Sequence, residues 1–311
     1  MTAVTNATLS GLSVLLAATA GGSPTLQLQD STIAPDATVL GLATGGGIAT
    51  LAVAGRLSNM GTVTLGNAAT ANGAGGYAIN LGNGANGQAG LFYNGGTINL
   101  VGASPLIAAV GALRAGVQND GLVEIWNPSG GAQNVLLRAP LSGTGQVVLE
   151  KSAALELAAA VAAGQRIKFH SAAGGNATLT LDKAGTFGGT IQGFVATDKI
   201  VLPGASVTDV AYTATGAHAG KLTLSDHGTQ VASLAFEGDY AKSDFTVSAA
   251  GDSTAITVAT AQPAGHRNAG QQALGVRMGR VGKQRRDRGA LDHFAGGPTL
   301  EHSTGRLVRG V

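Results

Sequence analysis

The sequence predicts an all-β protein, a right-handed parallel β-helix or β-solenoid, and three observations lead to this prediction. Gly supplies 50 of the 311 residues, more than twice its usual share of about 7 %, and Gly lowers helix propensity by about 1 kcal/mol at each interior position. Short runs rich in Val, Leu, Ile and Thr recur over the first 260 residues, separated by Gly, Asn, Asp or Ser. Charged residues are scarce before position 110. Such a chain favours many short strands and many turns.

Apolar and polar residues alternate within these runs, which places one side of each strand in a core and the other in water. The clearest apolar pairs are Val63 and Leu65, Ile79 and Leu81, Ile98 and Leu100, Leu179 and Leu181, and Leu222 and Leu224. A large antiparallel sandwich is the alternative arrangement. More than a dozen runs would make that sandwich unusually large, whereas a solenoid grows by adding coils and tolerates loops of different length.

Two segments give mixed signals. "SPLIAAVGALRAG" is either a short helix or a coil of the solenoid, because Ser104 is a possible N-cap, Pro105 suits the first helical position and Gly116 suits a stop. "ALELAAAVAAG", residues 154–164, is rich in the helix former Ala, but Leu155 and Leu157 alternate. We interpret this second segment as a strand followed by a turn of small residues.

The predicted organisation has three parts. Residues 1–142 form Gly- and Asn-rich solenoid coils, residues 143–260 form a C-terminal solenoid module with a strand-rich cap, and residues 261–311 form a basic, disordered tail. Lys and Arg number 10 against 14 Asp and Glu in residues 1–260, and 9 against 3 in the remainder. The alternation stops where this change of charge begins, and the tail is rich in Arg, Gly and Gln.

Residues 143–258 resemble the repetitive modules of bacterial surface and secreted proteins, of the adhesin and autotransporter-passenger type. The segments are "GTGQVVLEKSAALELAAAVAAGQRIKF", "LTLDKAGTFGGTIQGFVATDKIVL" and "KLTLSDHGTQVASLAFEGDYAKSDFTVSAAGDSTAITV". The matching positions are Phe187, Gly189, Ile191, Gly193, Phe194, Asp198, Ile200, Leu202, Gly238, Tyr240 and Phe245. From the residues themselves, we expect Phe187, Ile191 and Phe194 to plug coil turns, and Tyr240 and Phe245 to fill a cap over the last strands.

The resemblance implies a structural protein, extracellular or on the cell surface, that serves adhesion or matrix formation with cell-surface glycans or matrix polymers as partners. The segment from Gly11 to Gly22 resembles the apolar part of a signal peptide, but residues 1–10 contain no Lys or Arg, so a first strand is the preferred interpretation. The last 51 residues are also too short for a membrane β-barrel. We therefore expect a fragment, a truncated product or a protein exported by another route. No run of 18 apolar residues predicts a transmembrane helix.

The stretch "LGNGANGQAG" contains Gly82, Gly84 and Gly87 in the dinucleotide-binding pattern G-x-G-x-x-G. That site needs a helix after the glycines and an acidic residue about 20 positions further on. Here a β-type run follows instead, and the next acidic residue is Asp120. The sequence therefore predicts a turn between two strands, with no helix beginning within five residues of Gly87 and no nucleotide bound.

No other motif predicts a cofactor, a metal site or a catalytic residue. Asp226, Asp239 and Asp252 lie beside Gly or Ser and suit Asx-turns better than a calcium site. The histidines His170, His218 and His227 lack metal-ligand spacing and are interpreted as surface or turn residues. Trp126, the single Trp, could stack on a sugar, but core or turn packing is the preferred interpretation.

Two alternative functions remain open. A carbohydrate-active enzyme, a polysaccharide lyase or hydrolase on a β-helix, would need paired carboxylates facing a groove. Asp120 and Glu124 would supply such a pair if their strand begins early enough, and Arg138 and Glu150 could lie on adjacent coils. The basic tail could instead bind a polyanion, because clustered Arg residues neutralise phosphates.

Overall fold

The chain forms a β-solenoid, as its composition and alternating runs predict. A computed structural model describes residues 2–18, 22–43, 47–66, 76–82, 90–101, 105–109, 115–126, 134–170 and 176–259. Within these residues the strands form two sheets, of 15 and 11 strands, and two short 3-10 turns lie at Ala184–Thr186 and Lys242–Asp244. We call the 15-stranded sheet sheet A and the 11-stranded sheet sheet B. In the part of the chain described, no helix is long and apolar enough to cross a membrane.

Sheet B forms one flank of the solenoid, and each coil adds one strand to it. From β3 to β20 every pair of neighbours in this sheet is parallel. The strands are β3 (Ser13–Ala18), β5 (Thr38–Ala43), β7 (Thr62–Gly66), β10 (Thr97–Val101), β13 (Leu122–Trp126), β16 (Gln146–Leu149), β18 (Arg166–Phe169), β20 (Thr190–Gln192), β22 (Asp209–Gly216), β23 (Ala219–Asp226) and β24 (Thr229–Glu237).

Sheet A bends around a corner and so covers the remaining two flanks. The long strand β6 shows the bend, because its first part pairs with β8 and its last part pairs with β9. The strands are β1 (Thr2–Thr5), β2 (Thr8–Leu9), β4 (Thr25–Ile33), β6 (Ile48–Asn59), β8 (Gly76–Gly82), β9 (Leu91–Asn94), β11 (Pro105–Ala109), β12 (Gly116–Asn119), β14 (Asn134–Leu137), β15 (Leu141–Ser142), β17 (Ala154–Leu157), β19 (Thr178–Leu181), β21 (Lys199–Pro203), β25 (Phe245–Ala250) and β26 (Ser253–Val258).

The parallel pairing between coils excludes the antiparallel sandwich and confirms the solenoid. The predicted alternation is also confirmed, because all ten residues of the five apolar pairs are at most 2 % exposed. The structure also bears on the two ambiguous segments. In the first, Pro105–Ala109 is strand β11, paired with β8 and β14, rather than a helix, while Ser104 and residues 110–114 lie outside the described residues. In the second, β17 is followed by the predicted turn of small residues. Parallel partners on both sides override the weak helix signals of the first segment.

The corner of sheet A is made by residues with positive φ. In the first three coils these are Asn6, Asp30 and Gly55, with φ of 51°, 47° and 74°. Asn, Asp and Gly are the residue types that adopt this conformation most readily. The coils are also linked here, because Oδ1 of Asp30 accepts a hydrogen bond of 3.0 Å from the backbone N–H of Arg56. The corner is therefore built by local conformation and fixed by stacking.

A row of buried asparagines runs through the solenoid between sheet A and sheet B. Asn59, Asn94 and Asn119 occupy equivalent positions on successive coils, and each is 0 % exposed. Nδ2 of Asn59 donates to Oδ1 of Asn94 at 2.8 Å, and Nδ2 of Asn94 donates to Oδ1 of Asn119 at 2.7 Å. The same amide groups also donate to the backbone carbonyls of Thr97 and Leu122. We call this row the asparagine ladder.

The ladder continues across a coil that lacks asparagine. At the next equivalent position the chain has Gly143, which has a φ of 96°. Gln165, from the following coil, is 0 % exposed and its Oε1 accepts from Nδ2 of Asn119 at 3.1 Å. Its own Nε2 donates to the carbonyls of Asn119 and Ser142 at 2.7 and 2.9 Å. Buried polar groups are costly unless they are bonded, so this network fixes the register of neighbouring coils.

A column of glycines lies beside the asparagine ladder, two residues after each Asn. At Gly96 a Cβ would lie 2.2 Å from the carbonyl oxygen of Gly61, and at Gly121 it would lie 2.2 Å from that of Gly96. Gly145 repeats the arrangement against Gly121 at 2.4 Å. The backbones of successive coils approach so closely that a side chain has no space at these positions.

The C-terminal end of the solenoid is closed by antiparallel strands, as predicted for a strand-rich cap. Strands β22, β23 and β24 form a meander that joins sheet B through β20, and the β25–β26 hairpin joins sheet A through β21. Aromatic rings fill the space beneath the cap. The contacts, with centroid separations of 5.1–5.9 Å, join Phe169, Phe194, Phe236, Tyr240, Phe245 and Tyr212.

Two residues of the cap also carry polar contacts that fix its position. The hydroxyl of Tyr240 donates to the carbonyl of Phe194 at 2.8 Å, and burial raises the pKa of that hydroxyl. Asp198, which is 0 % exposed, accepts hydrogen bonds from the backbone N–H groups of Ala177 and Val195. Phe187 and Ile191, predicted to plug coil turns, are 6 % and 0 % exposed. The positions that carry the family resemblance thus act in packing and capping.

Replacing Asn94 by Ala should lower the free energy of unfolding by about 2–4 kcal/mol, because it removes three hydrogen bonds and leaves Oδ1 of Asn119 without its partner. Urea unfolding followed by circular dichroism measures this loss. Asn99→Ala is the matched control, since Asn99 is only partly buried and donates a single side-chain hydrogen bond of 3.2 Å to Thr64. Its loss should stay below about 1 kcal/mol. Equal losses for the two variants would contradict the role given to the ladder.

Replacing Gly96 by Ala should destabilise the solenoid by about 1–3 kcal/mol or more, because the new Cβ meets a backbone oxygen of the neighbouring coil. Gly116→Ala provides the control, since a Cβ there lies 3.6 Å from its nearest neighbour, the carbonyl of Pro140. We expect the control to change the thermal midpoint little in either direction. A Gly96→Ala variant as stable as the control would show that the coils can separate without cost.

Candidate functional site

The outer face of sheet B is a regular surface on which side chains repeat from coil to coil. Side chains on this face lie in rows, because each strand is in register with its neighbours, and adjacent strands are about 4.8 Å apart. One row consists of Ser13, Thr38, Thr62, Thr97, Leu122, Gln146, Arg166 and Thr190. The second row consists of Leu15, Leu40, Thr64, Asn99, Glu124, Val148, Lys168, Gln192 and Glu237.

A third row carries the single tryptophan. Trp126 is in register with Val101, and Glu150 and His170 occupy the corresponding places on the next two coils, where their N–H groups donate to Ile125 and Leu149. Trp126 is 44 % exposed at the end of β13, so of the expected core or turn packing the core position is wrong. The reason is the strand parity, which directs Ile125 inward and Trp126 outward. Nδ1 of His170 lies 2.6 Å from Oε1 of Glu150.

Polar and charged side chains surround this row. In the second row Glu124, Val148 and Lys168 follow one another on successive coils. Nε2 of Gln192 donates to Oε2 of Glu237 at 2.5 Å. Within the described residues, the ion pairs of this chain involve histidines, so Glu124, Arg166 and Lys168 present charges without an ionic partner. This part of the face therefore combines one exposed ring with free groups of both signs.

The structure separates the other carboxylates considered from the sequence. Strand β13 begins at Leu122, so Asp120 lies in the preceding turn and not on the strand face with Glu124. Oδ1 of Asp120 accepts from the N–H and the hydroxyl of Thr144 at 2.8 and 3.1 Å, and Oδ2 accepts from Gln118 at 2.9 Å. The bond from the Thr144 backbone is the main cause that lowers the pKa of Asp120. Its contacts thus connect turns of adjacent coils.

Arg138 and Glu150, which the enzyme alternative could place on adjacent coils, do not lie on adjacent coils. Arg138 follows β14 in sheet A, whereas Glu150 follows β16 in sheet B. The chain passes through β15 between them, so both belong to one coil but to different sheets. Runs of apolar alternation do not show which sheet each strand joins, and the sequence could not place this pair.

A second pair of carboxylates lies on the outer face of sheet A and was not recognised in the sequence. Glu156 is on β17, in register with Leu136 and Thr180, and Asp182 follows β19 on the next coil. Partial burial is the largest cause that raises the pKa of Glu156, and repulsion from Asp182 adds to it, while Arg138 opposes both. The two acids are 26 positions apart along the chain, and only the stacking of coils brings them together.

The remaining candidates lie at turns and edges. His218 pairs with Asp239, and Nδ1 of His227 lies 2.8 Å from Oδ1 of Asp226. Both imidazoles are largely exposed, at 74 % and 84 %. Asp252 lies in the turn between β25 and β26. In the described part of the chain no three carboxylate or imidazole groups converge on a common point suited to a metal ion.

Two of the motifs singled out in the sequence fall wholly or partly beyond the residues described. Gly82 ends β8 and Leu91 begins β9, so strands flank the glycine-rich stretch. Gly84 and Gly87 themselves lie outside the described residues, as does the basic tail of residues 261–311. The turn without a bound nucleotide and the binding of a polyanion by the tail therefore stay predictions from the sequence. No protein-family model and no curated protein matches this chain.

Replacing Glu156 by Gln should stabilise the protein at pH 7 by up to about 1 kcal/mol, because Gln cannot be repelled by Asp182 and its amide can donate to that carboxylate. The pKa of Glu156 is raised in the fold above its ordinary value of 4.5. The folded protein therefore disfavours the ionised form of Glu156. The free energy of unfolding is higher in acid, and this part of it is lost as the pH rises through the raised pKa.

Urea unfolding of the two proteins at pH 7 and at pH 4 tests this prediction. The variant should have a higher free energy of unfolding than the natural protein at pH 7, and this difference should be smaller at pH 4. Asp182→Asn should give a similar gain, and the double variant should give less than the sum of the two. A constant difference at both pH values would mean that the repulsion between Glu156 and Asp182 is negligible.

Proposed function

We propose that this protein is a structural, surface-exposed or secreted β-solenoid that presents its outer faces for adhesion or matrix formation. The observation that carries the proposal is the outer face of sheet B, where side chains repeat in register from coil to coil. Such a surface offers side chains at the same spacing on every coil, so one polymer chain can contact several coils at once. The similarity of residues 143–258 to adhesin and autotransporter-passenger modules supports the proposal.

The proposed mechanism is summation of many weak contacts with a polymer. Each additional contact made by a linked array is intramolecular, so overall binding exceeds that of any one contact. This mechanism requires a rigid spacing between coils. The asparagine ladder and the glycine column supply that rigidity, since a shift of one coil against the next would break the ladder's hydrogen bonds and bring side chains against the glycine backbone. Cell-surface glycans or matrix polymers are the proposed partners, and the extracellular side is the proposed location.

Cosedimentation of the full chain with particulate polymers tests the adhesive function. Cellulose, chitin and bacterial cell-wall sacculi are the probes, with the chain either free or coupled at several copies per bead. We expect depletion from the supernatant for at least one polymer, with binding more than tenfold tighter for the multivalent form. Chain unfolded in urea and coupled at the same density is the control. The absence of depletion with every polymer would overturn the proposal.

Protease treatment of intact producing cells tests the location. A surface or secreted protein should be digested, or be recovered from the medium, while a cytoplasmic marker enzyme stays intact. Protection of the chain until the cells are lysed would overturn the proposed location without bearing on adhesion.

A further inference from the structure

The exposed side of Trp126 is unlike the rest of the outer face of sheet B. The residues around it are mostly small or polar, whereas the indole ring is a large flat apolar surface that is 44 % exposed. Ring contacts in the described residues join the aromatic groups of the cap and do not include Trp126. The cation–π contact among the described residues joins Arg56 and Tyr93 of sheet A and does not include Trp126. Among the described residues, the ring of Trp126 has no aromatic or cationic partner.

The groups beside the ring suit hydroxyls. Glu150 lies on the next coil, with its side chain 21 % exposed and one oxygen bonded to His170 at 2.6 Å. Glu124 lies two residues before Trp126 on the same strand, and Lys168 lies on the outer side two coils away from Glu124. Carboxylates accept hydrogen bonds and the ammonium group donates them. A sugar hydroxyl does both, so it can use each of these groups.

The balance of charge favours a neutral polymer over a polyanion. Lys168 and Arg166 are offset by Glu124 and Glu150 within the same face, and residues 1–260 carry 10 basic against 14 acidic residues. A polyanion would have no net attraction to this surface. The side chains around Trp126 come from successive coils of a parallel sheet, so an extended polymer chain can contact several coils at once.

We propose that the surface formed by Val101, Glu124, Trp126, Glu150 and Lys168 binds a neutral glycan chain, with one pyranose ring stacked on the indole of Trp126. The C–H face of the sugar contacts the ring, and the neighbouring sugars lie over the coils that carry Glu150 and His170. This proposal deepens the proposed adhesive function and rests on it. It adds one defined subsite to the many weak contacts of that face.

Titration with cellohexaose and with chitohexaose tests the subsite. Trp126 is the single Trp of the chain, so its fluorescence reports directly on this surface, and isothermal calorimetry follows variants that lack the indole. We expect a saturable change in tryptophan emission with at least one of the two hexasaccharides. Trp126→Ala should weaken binding by about tenfold or more, and Trp126→Phe should retain part of the affinity because it keeps a ring.

Leu15→Ala is the matched control, because Leu15 is a large apolar residue, 56 % exposed, on the same outer face but in the first coil. It should bind as the natural protein does, and circular dichroism checks that all three variants are folded. Binding by Trp126→Ala equal to that of the natural protein would overturn the subsite but leave the adhesive function intact. A natural chain that cosediments with a polymer yet ignores both hexasaccharides would do the same. Preference for hexagalacturonate over both neutral probes would overturn the neutral class.

Discussion

Register between successive coils is the constraint on which the rest of the structure depends. Parallel strands place each side chain directly against its equivalent on the next coil, so an error of one residue would reverse every inward and outward position. The asparagine ladder makes that error expensive, since the side-chain N–H groups of Asn59 and Asn94 reach the oxygens of Asn94 and Asn119 only when the coils are aligned. The glycine column has the same effect by a different means, because Gly96 and its equivalents leave space only for aligned backbone.

This alignment also explains how the solenoid tolerates coils of unequal length. Asn59 and Asn94 are 35 residues apart, whereas Asn94 and Asn119 are 25 residues apart, yet both pairs make the same hydrogen bond. The extra residues are accommodated between strands and do not disturb the stacked positions. At the coil of Gly143 the longer side chain of Gln165 restores the network from one coil further on. The alignment of the core positions therefore does not depend on the length or chemistry of the segments that connect the strands.

The rows of side chains on the outer faces result from the alignment of the interior. Because the inward residues are held in register, the outward residues form rows even where no side-chain contact joins them. The chemistry of a row is free to change along the solenoid, from Leu15 and Leu40 at one end of sheet B to Glu124, Lys168 and Glu237 near the other. A surface such as that around Trp126 can arise from this variation while the core stays the same.

The sequence by itself determined the all-β class, the solenoid, the inward apolar residues and the strand-rich cap, because alternation and turn residues are local signals. It also held a signal that we did not use. The pattern Asn-x-Gly followed by alternating apolar residues begins at Asn59, Asn94 and Asn119 and marks the ladder. Only the tertiary structure decided which residues meet between coils. The outward direction of Trp126 follows from the alternation of Val123 and Ile125, a local signal, whereas the separation of Arg138 from Glu150 and the meeting of Glu156 with Asp182 do not follow from any local signal. They depend on coil length and on the sheet that each strand joins, which are not local properties of the chain.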